Sequence, residues 1–557
     1  MDRDADAPIR DDELEALFRP LRGRLVALAV SGGVDSVVLL HLVSRWVRTL
    51  RNPVEDDQAE DIAIAPSIGL PLLPPALRAQ ASWLSKSGRD CCPHVVLTVD
   101  HALRPGSATE AAFVAQTAAS LGFPHQTLTW QHASLDGADA DDRATDHAGA
   151  PATGIQQKAR AARYDLMADA IEDEVWTRFR GGETRCHPLL GAPARRMIVT
   201  AHHREDLVET FLMRLQRGSG LDGLAAMRPI ETFHRRPTSS RRYPNPIDIA
   251  RPLLDVPRAR LRATARASGL TWRDDPSNVD LRYERIRLRA AAPALAELGF
   301  ETRALHRTIH RLSTARDAFE SECRRWIAGA VHTHAGLFAE IVLRDPHLPP
   351  ETRAPACEPP THVLVGLLAH ALGAFGGSHP APELSRLEAL AAHIRRDAHT
   401  NQPRKRTLGG CCVAVLPAAV GRPARVRVWR ESGRTGLAEL DLEPGDGGWW
   451  DDRFAVSIAA EARAPVSIRA LGPAGWAELK RRVPALATWR DLPDGAIATL
   501  PAVWRGTALL TAPWFDQLPE SLPNTLRHGI ADAWSAAYGA QSTSCRISFC
   551  PILGRGF

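Results

Sequence analysis

The chain has 557 residues, 44% of them hydrophobic and 24% charged, which is typical of a folded protein in water. No apolar stretch reaches the ~20 residues that cross a bilayer, and the acidic start is unlike a secretory signal, so we expect a cytoplasmic protein without a membrane partner. A formal net charge of only +5 does not by itself indicate nucleic-acid binding, and the nine cysteines contain no Cys-x-x-Cys pair.

Apolar segments predict an α/β fold for the first half of the chain. Buried strands are predicted at 25–30, 94–100, 127–130 and 197–201, and helices at 37–43, 109–121, 156–171 and 205–217. Strands that alternate with helices indicate a doubly wound parallel sheet, which binds ligands beyond the carboxyl ends of its strands. Polar or small-residue stretches near 51–92, 133–153 and 172–194 are interpreted as insertions.

The second half of the chain has a different pattern. Helices are predicted at 302–326, 361–372 and 383–394, and short apolar runs separated by turns follow from about 407. We therefore predict an N-terminal α/β domain at 20–290, a helical domain at 291–406, and a small α+β or mostly β domain at 407–557.

The sequence Ser-Gly-Gly-Val-Asp-Ser, residues 31–36, joins the first strand to its helix. The amide groups of such a turn and helix start bind anions, and Gly32 and Gly33 let the backbone approach a phosphate. Ser31 and Ser36 add hydroxyl donors. A carboxylate here, Asp35, would repel phosphates unless a divalent cation lay between them. No Gly-Lys-Ser/Thr follows, so this is not a Walker A loop.

Further polar groups stand at the ends of later strands. Asp100-His101-Ala102-Leu103-Arg104 follows the second strand, and His202-His203 follows the fourth. Asp206 and Glu209 lie three residues apart and share one face of a helix. On their own the histidines are most simply core or capping residues, and the acids favour a helix N-terminus. Their position at strand ends makes all four candidates for a site.

Taken together and in order, these motifs resemble the tRNA(Ile)-lysidine synthases, a family of the PP-loop ATP pyrophosphatase superfamily. The motifs that carry the resemblance lie at 31–36, 100–104, 159–164, 201–210, 217–220, 251–254 and 272–278, with weaker ones at 408–410 and 450–454. Two departures stand out: Glu205-Asp206-Leu207 replaces the frequent Asp-Asp-Gln, and Tyr283-Glu284-Arg285-Ile286-Arg287 lacks a frequent asparagine.

The resemblance implies a two-step reaction. ATP adenylates the C2 oxygen of the wobble cytidine in the CAU anticodon of tRNA(Ile) and releases pyrophosphate. Free L-lysine then displaces AMP to form lysidine, which changes decoding from AUG to AUA and charging from methionine to isoleucine.

The resemblance also implies roles for particular residues. ATP would be bound by Ser31, Gly32, Gly33, Val34, Asp35, Ser36, Asp100, His101 and Arg104, with Mg²⁺ on Asp35 and Asp206. Those two acids, His202, His203 and Glu209 would be the catalytic or substrate-orienting group. The tRNA would contact Arg160, Arg163, Arg214, Arg217, Arg282, Arg285, Arg287 and Arg289, unless these simply form a solvated face. The helical and C-terminal domains would grip the tRNA body.

Two other functions stay open from the sequence. A PP-loop tRNA thiolase shares the loop and the adenylation but uses paired cysteines or an iron–sulfur cluster, which the cysteine spacing does not favour. An RNA-binding protein with an inactive nucleotide fold is disfavoured by the intact Asp35 and Ser36. The sequence leaves the lysine pocket, the role of the insertions and the oligomeric state open, with a homodimer as one option.

Overall fold

The computed structural model divides into two compact units. One comprises residues 1–233 and 246–313, and the other comprises 234–245 and 314–557. The structure describes residues 6–51, 94–100, 107–129, 163–171, 196–233, 246–273, 281–282, 284–334, 336–348, 358–377, 381–400, 403–419, 422–433, 436–459, 462, 464–484, 486, 492–493, 495–512 and 545–549. The three predicted insertions lie almost wholly outside these ranges.

In the first unit, strands and helices alternate up to residue 216 as the apolar pattern predicts, whereas the last two strands were not predicted. The strands are β1 (Leu25–Ala29), β2 (His94–Asp100), β3 (His125–Thr129), β4 (Arg196–Val199), β5 (Ile230–Phe233) and β6 (Ile247–Ala250). The helices are α1 (Leu14–Phe18), α2 (Val34–Arg51), α3 (Ser107–Ser120), α4 (Arg204–Gln216), α5 (Leu221–Leu224), α6 (Arg258–Ala267) and α7 (Glu284–Glu297). Residues 163–170 are also helical.

These strands form one six-stranded sheet in the order β3-β2-β1-β4-β6-β5. All neighbours are parallel except the edge strand β5, which runs antiparallel to β6. Along β1, Val26 and Leu28 pack into one core with α2, whereas Ala27 packs into a second core on the opposite face. Both faces are therefore covered, and the predicted doubly wound α/β fold is confirmed.

The second unit begins within a long helix and continues mainly as antiparallel strands. Its helices are α8 (Thr302–Ala330, shared with the first unit), α9 (Thr361–Phe375), α10 (Leu384–Ala398) and α11 (Gly472–Arg482). Its strands are β7 (Val331–His334), β8 (Phe338–Val342), β9 (Arg404–Leu408), β10 (Cys411–Leu416), β11 (Arg425–Arg430), β12 (Leu440–Leu442), β13 (Gly447–Trp450), β14 (Phe454–Ile458), β15 (Val466–Ala470), β16 (Pro501–Arg505), β17 (Ala508–Thr511) and β18 (Cys545–Phe549).

The predicted boundary at 406/407 falls inside a single sheet. The order β7-β8-β11-β10-β9 joins strands from both sides of it, and the apolar faces of α9 and α10 pack on this sheet. Residues 291–406 are therefore not a purely helical domain: the helices were predicted correctly, but the short strands β7 and β8 were missed. Two further sheets, β12-β15-β16-β17 and β13-β14-β18, complete the strands described here.

A buried ion network connects strands of the second unit. Asp451 accepts hydrogen bonds from Arg430 at 2.9 Å and from Arg453 at 2.7 Å, and all three side chains are at most 5% exposed. Arg453 also donates to the carbonyl of Thr499. Asp451 has a φ of 52°, in the left-handed region that aspartate tolerates better than most residues.

No helix among the described residues is long and apolar enough to span a membrane.

Candidate functional site

The loop at residues 31–36 is shaped as a backbone cradle. Gly32 has a φ of 87°, which favours glycine, and the carbonyl of Gly33 accepts hydrogen bonds from the amides of Ser36 and Val37. The Ser36 hydroxyl also donates to Gly33 at 2.9 Å and accepts from the Ser31 amide at 3.2 Å. These bonds start α2 directly after the loop, and the first amides of a helix have no carbonyl partner within it, the arrangement that binds phosphate.

This cradle lies at the switch point of the sheet. β1 is flanked by β2 on one side and β4 on the other, so the loop after β1 and the histidines after β4 leave neighbouring strands at the same edge. The buried His203 connects them: its Nε2 lies 3.6 Å from Asp35 and 3.4 Å from Asp206. The amide of His203 also donates to Asp206 at 3.1 Å, which fixes the start of α4.

The charges at this site support one another. Burial opposes ionisation of His203, but hydrogen bonds to Asp35 and Glu205 and the charge of Asp206 raise the pKa of His203 to about 9. Burial likewise opposes ionisation of Asp35, yet His203 and then Arg258 lower the pKa of Asp35 below its ordinary value. The pKa of Asp206 is also lowered, chiefly by the charge of His203 against burial. The group is therefore a protonated histidine held between carboxylates.

Asp35 retains an unused ligand atom. Its Oδ1 is buried and has no hydrogen-bond partner among the described residues, while Oδ2 faces His203 and Arg258. A buried carboxylate oxygen without a partner is costly, and a hard divalent cation is the ligand that it suits. The cradle and Asp35 thus fit a nucleotide with its metal ion, and the second carboxylate that such an ion could use is Asp206.

Glu209 and two arginines form the neighbouring part of the site. Arg289 donates to Glu209 at 2.6 Å and to Asp206 at 3.1 Å. Arg285 lies 3.3 Å from Glu209 and donates to Thr210 at 3.1 Å. Burial raises the pKa of Glu209, and Arg289 opposes that shift. Both arginines were predicted as tRNA contacts. In the structure their side chains contact the acids of α4.

The other predicted residues are more scattered. His202 bonds the Thr200 hydroxyl through Nδ1 at 2.7 Å, and Asp100 ends β2 at the carboxyl edge of the sheet. Arg214 donates to the carbonyls of residues 223 and 226 and so braces the glycine-containing turn after α4. Arg217 pairs with Glu284 at 2.5 Å and is mostly exposed, and Arg163, Arg282 and Arg287 are also exposed. His101, Arg104, Arg160 and residues 274–280 lie outside the described residues.

Two residues of the site were not assigned a role from the sequence. The Arg258 side chain lies 3.5 Å from Asp35, and its amide donates to Glu205 at 2.9 Å. Glu205 in turn accepts from Nδ1 of His203 at 3.0 Å. The departure at Glu205 therefore preserves an acidic acceptor that orients His203. The position of Arg258 shortly after Arg251-Pro252-Leu253-Leu254 was the signal that could have pointed to it.

The pKa of His203 predicts a pH-dependent stability. A pKa raised from 6.5 to about 9 stabilises the fold fully below about pH 6.5, and this contribution is lost as the pH rises through about 9. The loss is on the order of 3 kcal/mol. In chelator-treated protein, hydrogen exchange of the α4 amides, corrected for intrinsic rates, is expected to accelerate over this range in the wild type and much less in His203→Gln. Exchange rates that change with pH in the same way in both proteins would contradict this pH-dependent contribution of His203.

Comparisons with known proteins agree with this geometry. A family model described as a PP-loop domain matches residues 7–178 and 187–295. The tRNA(Ile)-lysidine synthase of Ruegeria pomeroyi is 30% identical over 543 residues, covering 94% of this chain and 94% of that protein. The enzyme of the same name from Rhodopseudomonas palustris is 34% identical over 428 residues, covering 72% of this chain and 92% of that protein.

The chain belongs to the tRNA(Ile)-lysidine synthase family. The family resemblance seen in the motifs is thereby confirmed, and the PP-loop domain implies that the chain binds ATP. The relatives match well beyond the PP-loop domain, so the family assignment also covers most of the second unit. Among solved structures, the U34-tRNA thiolase NcsA from Methanococcus maripaludis matches 54% of this chain and 79% of its own chain. The TM-score is 0.32 and the sequence identity is 12%, so this match carries no argument about function.

Proposed function

We propose that this chain forms lysidine at the wobble cytidine of tRNA(Ile) with a CAU anticodon, using ATP and free lysine. The observation that carries the proposal is the PP-loop joined through His203 to the acids of α4, in a chain of the tRNA(Ile)-lysidine synthase family. A tRNA substrate also supports the predicted cytoplasmic location.

In the first step, the C2 oxygen of cytidine attacks the α-phosphorus of ATP, and the bond to pyrophosphate breaks. The amides of the loop and the hydroxyls of Ser31 and Ser36 would hold the phosphates and stabilise the charge that develops on them. Mg²⁺ held by Asp35 and Asp206 would neutralise phosphate charge. The guanidinium of Arg258 lies beside Asp35 and is a further cation at this position.

His203 acts in this scheme as a positioning cation. Against the effect of burial, hydrogen bonds to Asp35 and Glu205 and the charge of Asp206 raise its pKa to about 9 in the metal-free protein, which favours the protonated form and a positioning role. Its two ring nitrogens face Asp35, Asp206 and Glu205, and it therefore fixes the carboxylates in their ionised forms.

In the second step, the side-chain amine of lysine forms a bond to C2 as the bond from C2 to the adenylate oxygen breaks. AMP leaves with the electron pair, and the amine passes a proton to solvent water. Adenylation makes this possible because the C2 oxygen alone is a poor leaving group. Glu209, His202 and the paired arginines lie next to the acids and are proposed to orient the substrates.

The described cysteines do not favour the thiolase alternative. Cys323, Cys411 and Cys412 are buried and free, and burial raises the pKa of Cys323 and of Cys411 to about 12. Such thiols are protonated at neutral pH and are poor nucleophiles.

Incorporation of labelled lysine tests the proposed function directly. A tRNA(Ile) transcript with a CAU anticodon is expected to acquire the label only with ATP and with release of pyrophosphate, and a transcript with U at the wobble position is expected to acquire none. Pyrophosphate release without lysine incorporation would indicate a different nucleophile. Neither signal would indicate a tRNA-binding protein without this activity.

The exposed arginines near α7 predict salt-dependent tRNA binding. Neutralising Arg217 and Arg287, which are solvent-exposed, is expected to weaken tRNA binding and to reduce the slope of log affinity against log salt by about 1 for each lost phosphate contact. The measurement is filter binding at several salt concentrations. Arg22→Gln, a change at another exposed and paired arginine, is the control. An unaltered slope in the double variant would make these arginines a solvated face.

A further inference from the structure

A second cluster of potential ligands lies outside the nucleotide site. His306 and His310 stand four residues apart on α8 and so share one face of the helix, and both turn toward Asp255. Nε2 of His306 lies 3.0 Å from Oδ1 of Asp255, and Nε2 of His310 lies 2.8 Å from the same oxygen. The two Nε2 atoms are themselves 3.2 Å apart, with the rings nearly perpendicular.

We propose that Asp255, His306 and His310 form a binding site for a divalent transition-metal ion, with Zn²⁺ as the ion of choice. Two imidazoles and one carboxylate are a ligand set that zinc accepts, with the fourth position left for water. Metal–ligand bonds of about 2.0–2.1 Å in a tetrahedron place ligand atoms about 3.3 Å apart. The three observed separations, 2.8–3.2 Å, are therefore close to those of a metal-bound triad.

The ligands are held by the surrounding structure. The carbonyl of Asp255 accepts two hydrogen bonds from the side chain of Arg204, and the amides of Leu254 and Val256 close the turn around it. The hydrogen bond from His306, partly opposed by burial, and that from His310 lower the pKa of Asp255. His306 is largely buried, whereas His310 and Asp255 are more than half exposed, which leaves a path for the ion.

The site is joined to the nucleotide site through a short segment. Asp255 precedes Arg258 by three residues, and Arg258 contacts both Asp35 and Glu205. Leu305 and Ile309, near the start of α8, belong to the same apolar cluster as Leu254, the residue before Asp255. A metal ion bound here would link α8 to the turn that positions Arg258 through metal–ligand bonds. This role is distinct from that of the catalytic cation.

Metal counting in the full-length protein tests this proposal. After removal of bound metal with a chelator, the protein is dialysed against buffered Zn²⁺, and bound zinc is measured by atomic emission. The wild type is expected to bind one equivalent of zinc. Its affinity for that zinc is expected to exceed that of His310→Ala or Asp255→Asn by at least about ten-fold, since loss of a second-shell partner already costs ~10–100-fold. The control is His362→Ala, which removes an exposed histidine that also pairs with a carboxylate.

Thermal unfolding supplies a second readout that does not depend on activity. Because a ligand that binds only the folded state stabilises it, Zn²⁺ is expected to raise the unfolding temperature of the wild type and of His362→Ala more than that of either site variant. His310 is half exposed, so its replacement is not expected to unfold the chain. Equal zinc binding and equal thermal shifts in all four proteins would overturn the proposal and leave the cluster as hydrogen bonds alone.

Discussion

Asp35→Asn is expected to reduce pyrophosphate release by on the order of 10²–10³-fold, because it removes a carboxylate proposed to hold the Mg²⁺ that would neutralise the charge developing on the phosphates. The substitution keeps the size of the side chain and removes the carboxylate that faces His203, Arg258 and the proposed Mg²⁺. Since the tRNA contacts are proposed elsewhere, tRNA affinity is expected to stay within a few fold. Pyrophosphate release and tRNA binding are measured on the same preparations.

The matched control is Asp11→Asn, a change at an exposed aspartate that pairs with Arg45. It is expected to leave both measurements unchanged. If Asp35→Asn retained turnover within a few fold of the wild type, Asp35 could not be a ligand of the catalytic cation. A parallel loss of tRNA affinity would instead indicate a disrupted fold.

Asp451→Ala is expected to destabilise the second unit by about 3–5 kcal/mol, the usual cost of leaving a buried charge without its partner. Two buried arginines, Arg430 and Arg453, would lose the carboxylate between them. Alanine would also have to adopt the positive φ of this position. The change is measured as faster hydrogen exchange of the amides in β11 and β14, by on the order of 10²–10⁴-fold where exchange requires unfolding of the unit.

Asp441→Ala is the comparison for this variant, because Asp441 is exposed and its carboxylate accepts a hydrogen bond from Ser467. We expect it to change stability by no more than about 0.5 kcal/mol. If the two variants behaved alike, the ion network would contribute little to the stability of these sheets.

The sequence predicted the part of the fold that depends on local pattern. β1, β2 and β4 are apolar runs of the length expected for buried parallel strands, and each ends in a polar motif. The rule that ligands bind beyond the carboxyl ends of such strands was enough to bring Asp35 and His203 together. The edge strand β5, by contrast, has mostly exposed residues, so apolar pattern could not reveal it.

The parts that were missed depend on contacts between distant residues. β7 and β8 are short and pair with each other, and β8 pairs with β11 some 85 residues later in the chain, so no local signal joins this hairpin to the rest of its sheet. Arg285 and Arg289 share the arginine-rich pattern of a nucleic-acid surface, but the acids of α4 lie 80 residues before Arg289. Which arginines face the tRNA and which face their own carboxylates is decided by packing.

The nucleotide site supplies its own counterions. Among the described residues, Asp35, Glu205, Asp206 and Glu209 face the cations His203, Arg258, Arg285 and Arg289. Because the charges of this site are neutralised within the protein, the site takes up no counterions from solution when it forms. Exposed arginines that contact a polyanion instead displace the counterions condensed on it. One enzyme can therefore combine an ionic-strength-tolerant reaction centre with salt-sensitive capture of its nucleic acid, and the salt response of each step would report which surface limits the rate.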